Sequence, residues 1–170
     1  MIARRLVAMM ALLFALAVLV SCSRRQPPLA PEVVVIPGKA VINEVYSRGV
    51  PTNLDWVELY NPTATPVDIS KYRIYDSGGQ SGVKEKNAFP TGTVIPGGGY
   101  YVIVTDGTEA SDFGLSSAGE QIWLEDETGK VVDTVTFLAM DVTQTYGRLP
   151  DGGTNWQLLN TITRGSSNKP

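Results

Sequence analysis

The sequence predicts an all-β domain, a sandwich or a barrel, and two observations carry that prediction. From Lys39 onward, short runs of alternating or β-branched residues recur at intervals of roughly ten residues, and Gly, Pro, Asn and Asp cluster between them. After residue 21, no stretch shows the apolar spacing that is typical of an amphipathic helix. We therefore expect packed β-sheets and almost no helix.

The predicted strands follow one another through the whole domain. In the strand at residues 54–60, Trp56, Glu58 and Tyr60 share one face and the alternate residues share the other, as expected for a pleated strand. Residues 100–105 are apolar and β-branched, which predicts a central strand. The complete set of predicted strands is 40–46, 54–60, 67–69, 72–75, 100–105, 121–125, 131–137, 146–148 and 156–159.

Turn residues separate these strands. Residues 96–99 (Pro-Gly-Gly-Gly) and 150–153 (Pro-Asp-Gly-Gly) predict tight turns, and residues 126–129 (Asp-Glu-Thr-Gly) predict a hairpin between two strands. Residues 78–82 are rich in Gly and Ser and predict a flexible loop. The polar end of the chain, residues 164–170, is predicted to be frayed.

The first 21 residues have the organisation of an export signal. Arg4 and Arg5 are followed by an unbroken apolar run at residues 6–20, the charged start and apolar core of a secretory signal peptide. The run is shorter than the ~20 residues that a membrane-spanning helix needs. A signal peptide over residues 1–21 is therefore favoured over an uncleaved anchor helix.

Cys22 follows this segment directly. The sequence Leu19-Val20-Ser21-Cys22 resembles the lipobox of bacterial lipoproteins, which predicts cleavage between Ser21 and Cys22 and a diacylglycerol on the Cys22 thiol. Cys22 is the single cysteine of the chain, and lipidation accounts for an unpaired cysteine in an exported protein. Residues 22–38 are rich in proline and predict a semi-extended tether, in which residues 33–36 could form a strand.

Composition excludes several classes of function. The chain has no histidine and no second cysteine, so the usual zinc and transition-metal ligands are lacking and no metal or cofactor is expected. Without Arg4 and Arg5, 12 basic residues remain against 17 acidic ones, a net charge of −5. This balance argues against binding of nucleic acid. No histidine is present to act as a base for a serine nucleophile, so no catalytic residue is predicted.

Several motifs in order give a resemblance to a known family. The motifs at the start of the domain are residues 41–45 (VINEV), 55–62 (DWVELYNP) and 67–70 (VDIS). Those in its middle are residues 95–104, 119–124 and 129–133, and those at its end are residues 146–152 (YGRLPDG) and Trp156. Over residues 39–168 the chain resembles the lamin tail domain, in the version found in exported bacterial proteins. The resemblance implies an immunoglobulin-like (Ig-like) β-sandwich that serves as an interaction module, and it implies no activity. The bacterial pattern often has proline before the glycine at Thr163-Arg164-Gly165, where this chain departs from it.

Three acidic residues are the candidate binding site. Glu44, Asp55 and Glu58 fall on two strands that we expect to be close in space, and several carboxylates together suit calcium or acid–base chemistry. Structural hydrogen bonding or exposure to water is the favoured alternative. Trp56, Trp123 and Trp156 are expected in the core, the alternative being a platform for sugar stacking.

The sequence thus predicts a lipid-anchored lipoprotein of the cell envelope, placed in the outer membrane if the organism is Gram-negative. The expected role is non-catalytic binding or scaffolding, with a protein or a polysaccharide as partner. One alternative is an accessory subunit of an envelope complex that docks through an exposed sheet edge. A calcium-dependent, carboxylate-based hydrolase or binding site is a further alternative.

Overall fold

The computed structural model describes residues 39–49, 53–107 and 112–170. The predicted signal peptide, Cys22 and the tether lie outside the described residues. No helix within these three ranges is long and apolar enough to cross a membrane. The elements are β1 (Val41–Tyr46), β2 (Trp56–Tyr60), β3 (Val67–Asp68), β4 (Arg73–Tyr75), α1 (Ser77–Gln80), β5 (Asn87–Ala88), β6 (Val94–Ile95), β7 (Tyr100–Val104), β8 (Gln121–Glu125), β9 (Val131–Thr136), β10 (Thr145–Arg148) and β11 (Trp156–Leu159).

The strands form an Ig-like β-sandwich, as predicted. One sheet has five strands in the order β11-β10-β1-β2-β7, and the other has four in the order β5-β4-β8-β9. All pairings are antiparallel. Strands β3 and β6 form a separate two-stranded ladder. Strand β1 is the centre of the five-stranded sheet because it pairs with both β2 and β10.

One hydrophobic cluster joins the two main sheets. Val57 and Leu59 of β2 are completely buried in it, as the predicted alternation of this strand requires. The four-stranded sheet contributes Ile74, Ile122 and Leu124, which are also completely buried. Burial of aliphatic side chains of this size contributes roughly 1.5–3 kcal/mol each, so this layer stabilises the sandwich without a disulfide.

The outer face of the five-stranded sheet is also covered. Every residue of β1 is buried, including those that alternate away from the cluster. The cover is residues 160–170, called here the C-terminal segment. Asn168 of this segment is 6% exposed and donates hydrogen bonds to the backbone oxygens of Asn43 and Arg148. The prediction of a frayed end was therefore wrong, because the segment finds its partners on β1 and β10.

Two further details of the predicted elements were wrong. Residues 77–80 form one turn of helix, capped by Asp76, whose side chain accepts from the Gly79 N–H; a flexible loop had been expected. Strand β7 lies at an edge of its sheet rather than in its centre. Its apolar, β-branched composition suggested a central strand, but among the described strands it pairs with β2 alone.

The predicted turns are present. Residues 96–99 turn between β6 and β7, and the Gly99 N–H donates to the Pro96 oxygen. Gly98 has a positive φ of 66°, and a Cβ on Gly97 would lie 2.4 Å from the Ala64 oxygen. Only glycine fits this turn without strain. The hairpin between β8 and β9 is confirmed as well.

Candidate functional site

Glu44 and Glu58 are cross-strand partners in the ladder of β1 and β2. Both side chains point to the outer face of the five-stranded sheet, and both residues are completely buried. A bulge between Ile42 and Glu44 leaves Asn43 without a partner in this ladder. The Asn43 side chain lies beside the two glutamates and donates to Glu58 Oε1 at 3.1 Å.

Hydrogen bonds from the C-terminal segment and from β10 engage both oxygens of Glu44. Thr145 Oγ1 donates to Glu44 Oε1 at 2.6 Å. The Thr163 N–H donates to the same oxygen at 3.2 Å, and Thr163 Oγ1 donates to Oε2 at 3.0 Å. A buried carboxylate needs such donors to offset the loss of water. Glu44 therefore fixes Thr163 of the C-terminal segment against β1.

Glu58 and Asp151 hold the rest of this segment. The Gly165 N–H donates to Glu58 Oε2 at 2.6 Å. The two Asp151 oxygens accept from the Asn168 N–H at 3.0 Å and from Ser167 Oγ at 2.6 Å. The Asn43 side chain joins Asp151 to Glu58, because its Nδ2 donates to both. We call Asn43, Glu44, Glu58, Asp151 and their hydrogen-bond partners the buried carboxylate network.

Burial sets the protonation behaviour of the network. It raises the pKa of Glu58 to about 7, and the nearby charges of Glu44 and Asp151 act in the same direction. It also raises the pKa of Glu44, although the hydrogen bonds from Thr145 and Thr163 oppose this. Burial alone would raise the pKa of Asp151 too, but its hydrogen bonds outweigh burial and the pKa lies below the usual value. Glu44 and Glu58 therefore ionise less readily than ordinary glutamates, whereas Asp151 ionises more readily than an ordinary aspartate.

Asp55 does not join this network. It lies just before β2, where its Oδ1 accepts from the Gly49 N–H at 2.5 Å. Burial raises the pKa of Asp55, and the charge of Asp106 raises it further. The sequence prediction thus placed three acidic residues together, but the structure pairs Glu44 with Glu58 and puts Asp55 at the end of the sheet. Calcium binding by any of them stays a prediction.

An acidic loop that contains Asp106, Glu109 and Asp112 follows β7. Asp106 and Asp112 are described, whereas Glu109 lies outside the described residues. Within the described ranges, no three His, Cys, Asp or Glu side chains are grouped so that they could hold a metal ion. Asp126, in the turn between β8 and β9, is 5% exposed and accepts from the Thr128 and Lys130 N–H groups. Its carboxylate closes the β8–β9 turn.

A second group of buried charges was missed by the sequence interpretation. Arg148 of β10 and Asp133 of β9 form an ion pair inside the sandwich. Asp133 also accepts from the Ile42 N–H at 2.7 Å, and Arg148 Nε donates to the Ile42 oxygen at 2.7 Å. The available signal was a single charged residue in each of the two strands. Nothing in the sequence showed that the two would meet.

The three tryptophans take different positions. Trp56 is completely buried in the hydrophobic cluster, as expected. Trp156 is partly buried, stacks on Tyr146 with ring centroids 5.5 Å apart, and lies under the Arg148 guanidinium. Trp123 is also partly buried and stacks on Tyr75, on the outer face of the four-stranded sheet. They do not form a common platform.

Comparison with known proteins agrees with this architecture. The family model of the Lamin Tail Domain matches residues 37–139, a span that contains β1 to β9. No curated protein matches the chain in sequence. Strands β10 and β11 lie beyond the family match, but β10 pairs directly with β1. The last two strands and the C-terminal segment therefore complete the matched sandwich.

Proposed function

Because the chain belongs to the lamin tail domain family, whose Ig-like fold is of the binding type, we propose that it is a non-catalytic binding or scaffolding module. We further propose that lipid on Cys22 displays the module at the cell envelope. Its partner is a protein or an extracellular polymer. Fold alone does not define a function, but the buried carboxylates and the sequence at the start of the chain both support this one.

The state of the buried carboxylates supports a non-catalytic role. General acid–base catalysis needs a carboxyl that reaches a substrate proton. Glu44 and Glu58 are completely buried, and each of their oxygens accepts a hydrogen bond from the fold itself. They hold the C-terminal segment in place, which is a structural task. This observation favours a binding module over a carboxylate-based hydrolase.

The anchor proposal is supported by the sequence before the sandwich. Ser21-Cys22 follows an apolar run of signal-peptide length, and Cys22 is the single cysteine. Two or more acyl chains make membrane attachment stable. The tether between Cys22 and Lys39 would then separate the sandwich from the bilayer.

Docking as a subunit of an envelope complex is a second candidate, favoured by the edge position of β7. Tyr100, Val102 and Val104 of this strand are partly exposed, and among the described strands β7 pairs only with β2. A strand from a partner could add to the other side through main-chain hydrogen bonds.

Crosslinking on native membranes followed by pull-down of the full chain tests the proposal. We expect a stoichiometric protein, or a covalently retained polymer, in the crosslinked product. The Cys22→Ser chain serves as the control, since it should carry the same sandwich without the anchor and should lose partners that are met only at the membrane. Recovery of the chain alone from intact membranes would contradict a scaffolding role.

A further inference from the structure

A cleft lies at one end of the five-stranded sheet, where β1 ends and β2 begins. It has a volume of about 320 Å³, and its lining includes Ser47, Arg48, Asp55, Leu115 and Ser117. This volume is at the lower end of the ~300–1,000 Å³ that is typical of small-molecule sites. We call it the strand-end cleft. It is separate from the buried carboxylate network, with which it shares no lining residue.

Unpartnered polar atoms concentrate at this end of the sheet. Within the described ranges, the buried side-chain atoms without a hydrogen-bond partner are Ser47 Oγ, Arg48 Nε, Trp56 Nε1, Thr105 Oγ1 and Asp106 Oδ1. All five belong to the end of β1, the start of β2 or the residues just after β7. Buried polar groups in folded proteins normally have partners, because leaving one unpaired costs free energy. Two of the five residues, Ser47 and Arg48, line the cleft, which points to a ligand there.

Ser47 is the strongest indication of a ligand in the cleft. It is 1% exposed, its Oγ has no partner among the described residues, and it lines the cleft. A hydroxyl both donates and accepts. The Ser47 hydroxyl therefore suits a ligand in the cleft that can both accept and donate a hydrogen bond.

The charges around the cleft are mixed. Arg48 contributes donors, and its charge acts on Asp55. Asp55 Oδ1 and Asp106 Oδ2 both lie within 3 Å of the position that a Cβ on Gly49 would take. None of the ion pairs in the described part of the chain includes Arg48, Asp55 or Asp106. The cleft thus carries both a cationic donor and an anionic acceptor that are not locked in an ion pair with each other.

We propose that the strand-end cleft binds a saccharide unit, a neutral ligand rich in hydroxyl groups. Neighbouring sugar hydroxyls can accept from Arg48 and Ser47 while they donate to the carboxylate of Asp55, which also lines the cleft. Leu115 and Val142 add apolar lining for the C–H face of a sugar ring. A bare cation would be opposed by Arg48, and an anion would be opposed by the two aspartates. This inference rests on the proposed binding function and specifies its polymer alternative.

Titration calorimetry on the full lipidated chain tests this, in a detergent that lacks a sugar headgroup. The probes are maltotriose, cellotriose and chitotriose. We expect saturable binding of at least one probe, weakened about tenfold or more in Ser47→Ala and in Arg48→Gln, because each variant removes a hydrogen-bonding group of the cleft. Ser166→Ala is the matched control, since Ser166 lies in the C-terminal segment and bonds to Thr163, and it should bind as the unaltered chain does.

A stability measurement separates a ligand group from a structural one. Because Ser47 Oγ has no partner among the described residues, Ser47→Ala should leave the melting temperature unchanged or higher while it weakens binding. A lowered melting temperature with unchanged binding would overturn the proposal, as would the absence of saturable binding by all three probes. Absence of binding together with a crosslinked protein partner would overturn this inference and leave the proposed function standing.

Discussion

Arg148 and Asp133 form an ion pair across the two sheets of the sandwich, with Arg148 Nη2 lying 3.0 Å from both carboxylate oxygens of Asp133. The two residues are 3% and 1% exposed. Both also bond to the backbone of Ile42, beside the bulge in β1. The pair therefore neutralises two buried charges and holds β1 against β9.

Asp133→Ala should strongly destabilise the domain. The substitution leaves the Arg148 guanidinium buried without its counter-charge, and breaking a buried pair in this way costs about 3–5 kcal/mol. Urea unfolding at neutral pH would measure the loss of unfolding free energy. Glu85→Ala is the control, because Glu85 is exposed and should change stability little. A loss below about 1 kcal/mol for Asp133→Ala would show that the pair is dispensable.

Glu58→Gln should change how stability depends on pH. The pKa of Glu58 is about 7 in the folded protein against 4.5 as the ordinary value, so the folded state holds this proton more tightly. Its contribution is therefore fully present below about pH 4.5 and is lost as the pH rises through about 7. Glutamine remains uncharged throughout. Between pH 5 and pH 8 the unaltered chain should therefore lose roughly 2–3 kcal/mol of unfolding free energy that the variant does not lose.

Chemical unfolding at a series of pH values would measure this effect. The pKa of Glu44 is raised as well, so Glu44 keeps part of the same pH dependence in the variant. The pKa values of Glu125 and Asp151 are lowered, and their contributions are lost on acidification instead. Glu85→Gln at an exposed position is the control. Parallel pH profiles for Glu58→Gln and the unaltered chain would contradict the assignment.

Truncation after Ile162 should destabilise the sandwich. It removes the donors that Thr163 and Gly165 supply to Glu44 and Glu58, and buried acceptors that lose their donors cost about 1–3 kcal/mol each. It also removes Arg164, which lies 5.8 Å from the centre of the Trp56 ring. We expect a lower melting temperature and altered tryptophan fluorescence.

A chain that lacks only residues 169–170 is the matched control for this truncation. Lys169 and Pro170 are exposed, and the network bonds of Thr163, Gly165 and Asn168 remain. This shorter deletion should leave the melting temperature nearly unchanged. Equal melting temperatures for the two truncated chains would mean that the C-terminal segment does not stabilise the fold.

Cys22→Ser should abolish lipid modification and the lipoprotein-type cleavage, because the serine hydroxyl does not replace the thiol as the lipidated group. The sandwich begins well after residue 22 and should keep its melting temperature. Mass spectrometry of the native chain should find a mature start at Cys22 with attached acyl chains. An unmodified Cys22, or a start elsewhere, would contradict the anchor, and the family assignment would stand unaffected.

The sequence predicted the sandwich well wherever local chemistry decides structure. The hairpin at residues 126–129 has its own turn residues, and the alternation of β2 separates Val57 and Leu59 from Glu58 without help from distant residues. Helix α1 escaped prediction because one helical turn has no periodicity, and its signal was the capping Asp76 alone. The edge position of β7 depends on strand order, which local pattern does not encode.

The site was predicted only in part, because its partners are far apart in the chain. Glu44 and Glu58 could be placed on neighbouring strands, but their donors Thr163 and Gly165 come from a polar end with no apolar pattern. Asp55 looked equivalent to them in sequence. Asp55 lies before β2 begins and bonds to Gly49 instead. Its closeness to Glu58 in sequence therefore did not predict that it would join the buried carboxylate network.

The C-terminal segment also has a consequence for how the chain folds. Asn168 bonds to Asn43, which lies 125 residues earlier. Contacts of such separation make a domain slow to fold, because the entropy of closing the chain is lost before the contact forms. Strand β1 is synthesised long before residues 163–168, which bond to its outer face. The native contacts of Glu44 and Glu58 with the C-terminal segment therefore form only after residue 165 has been synthesised.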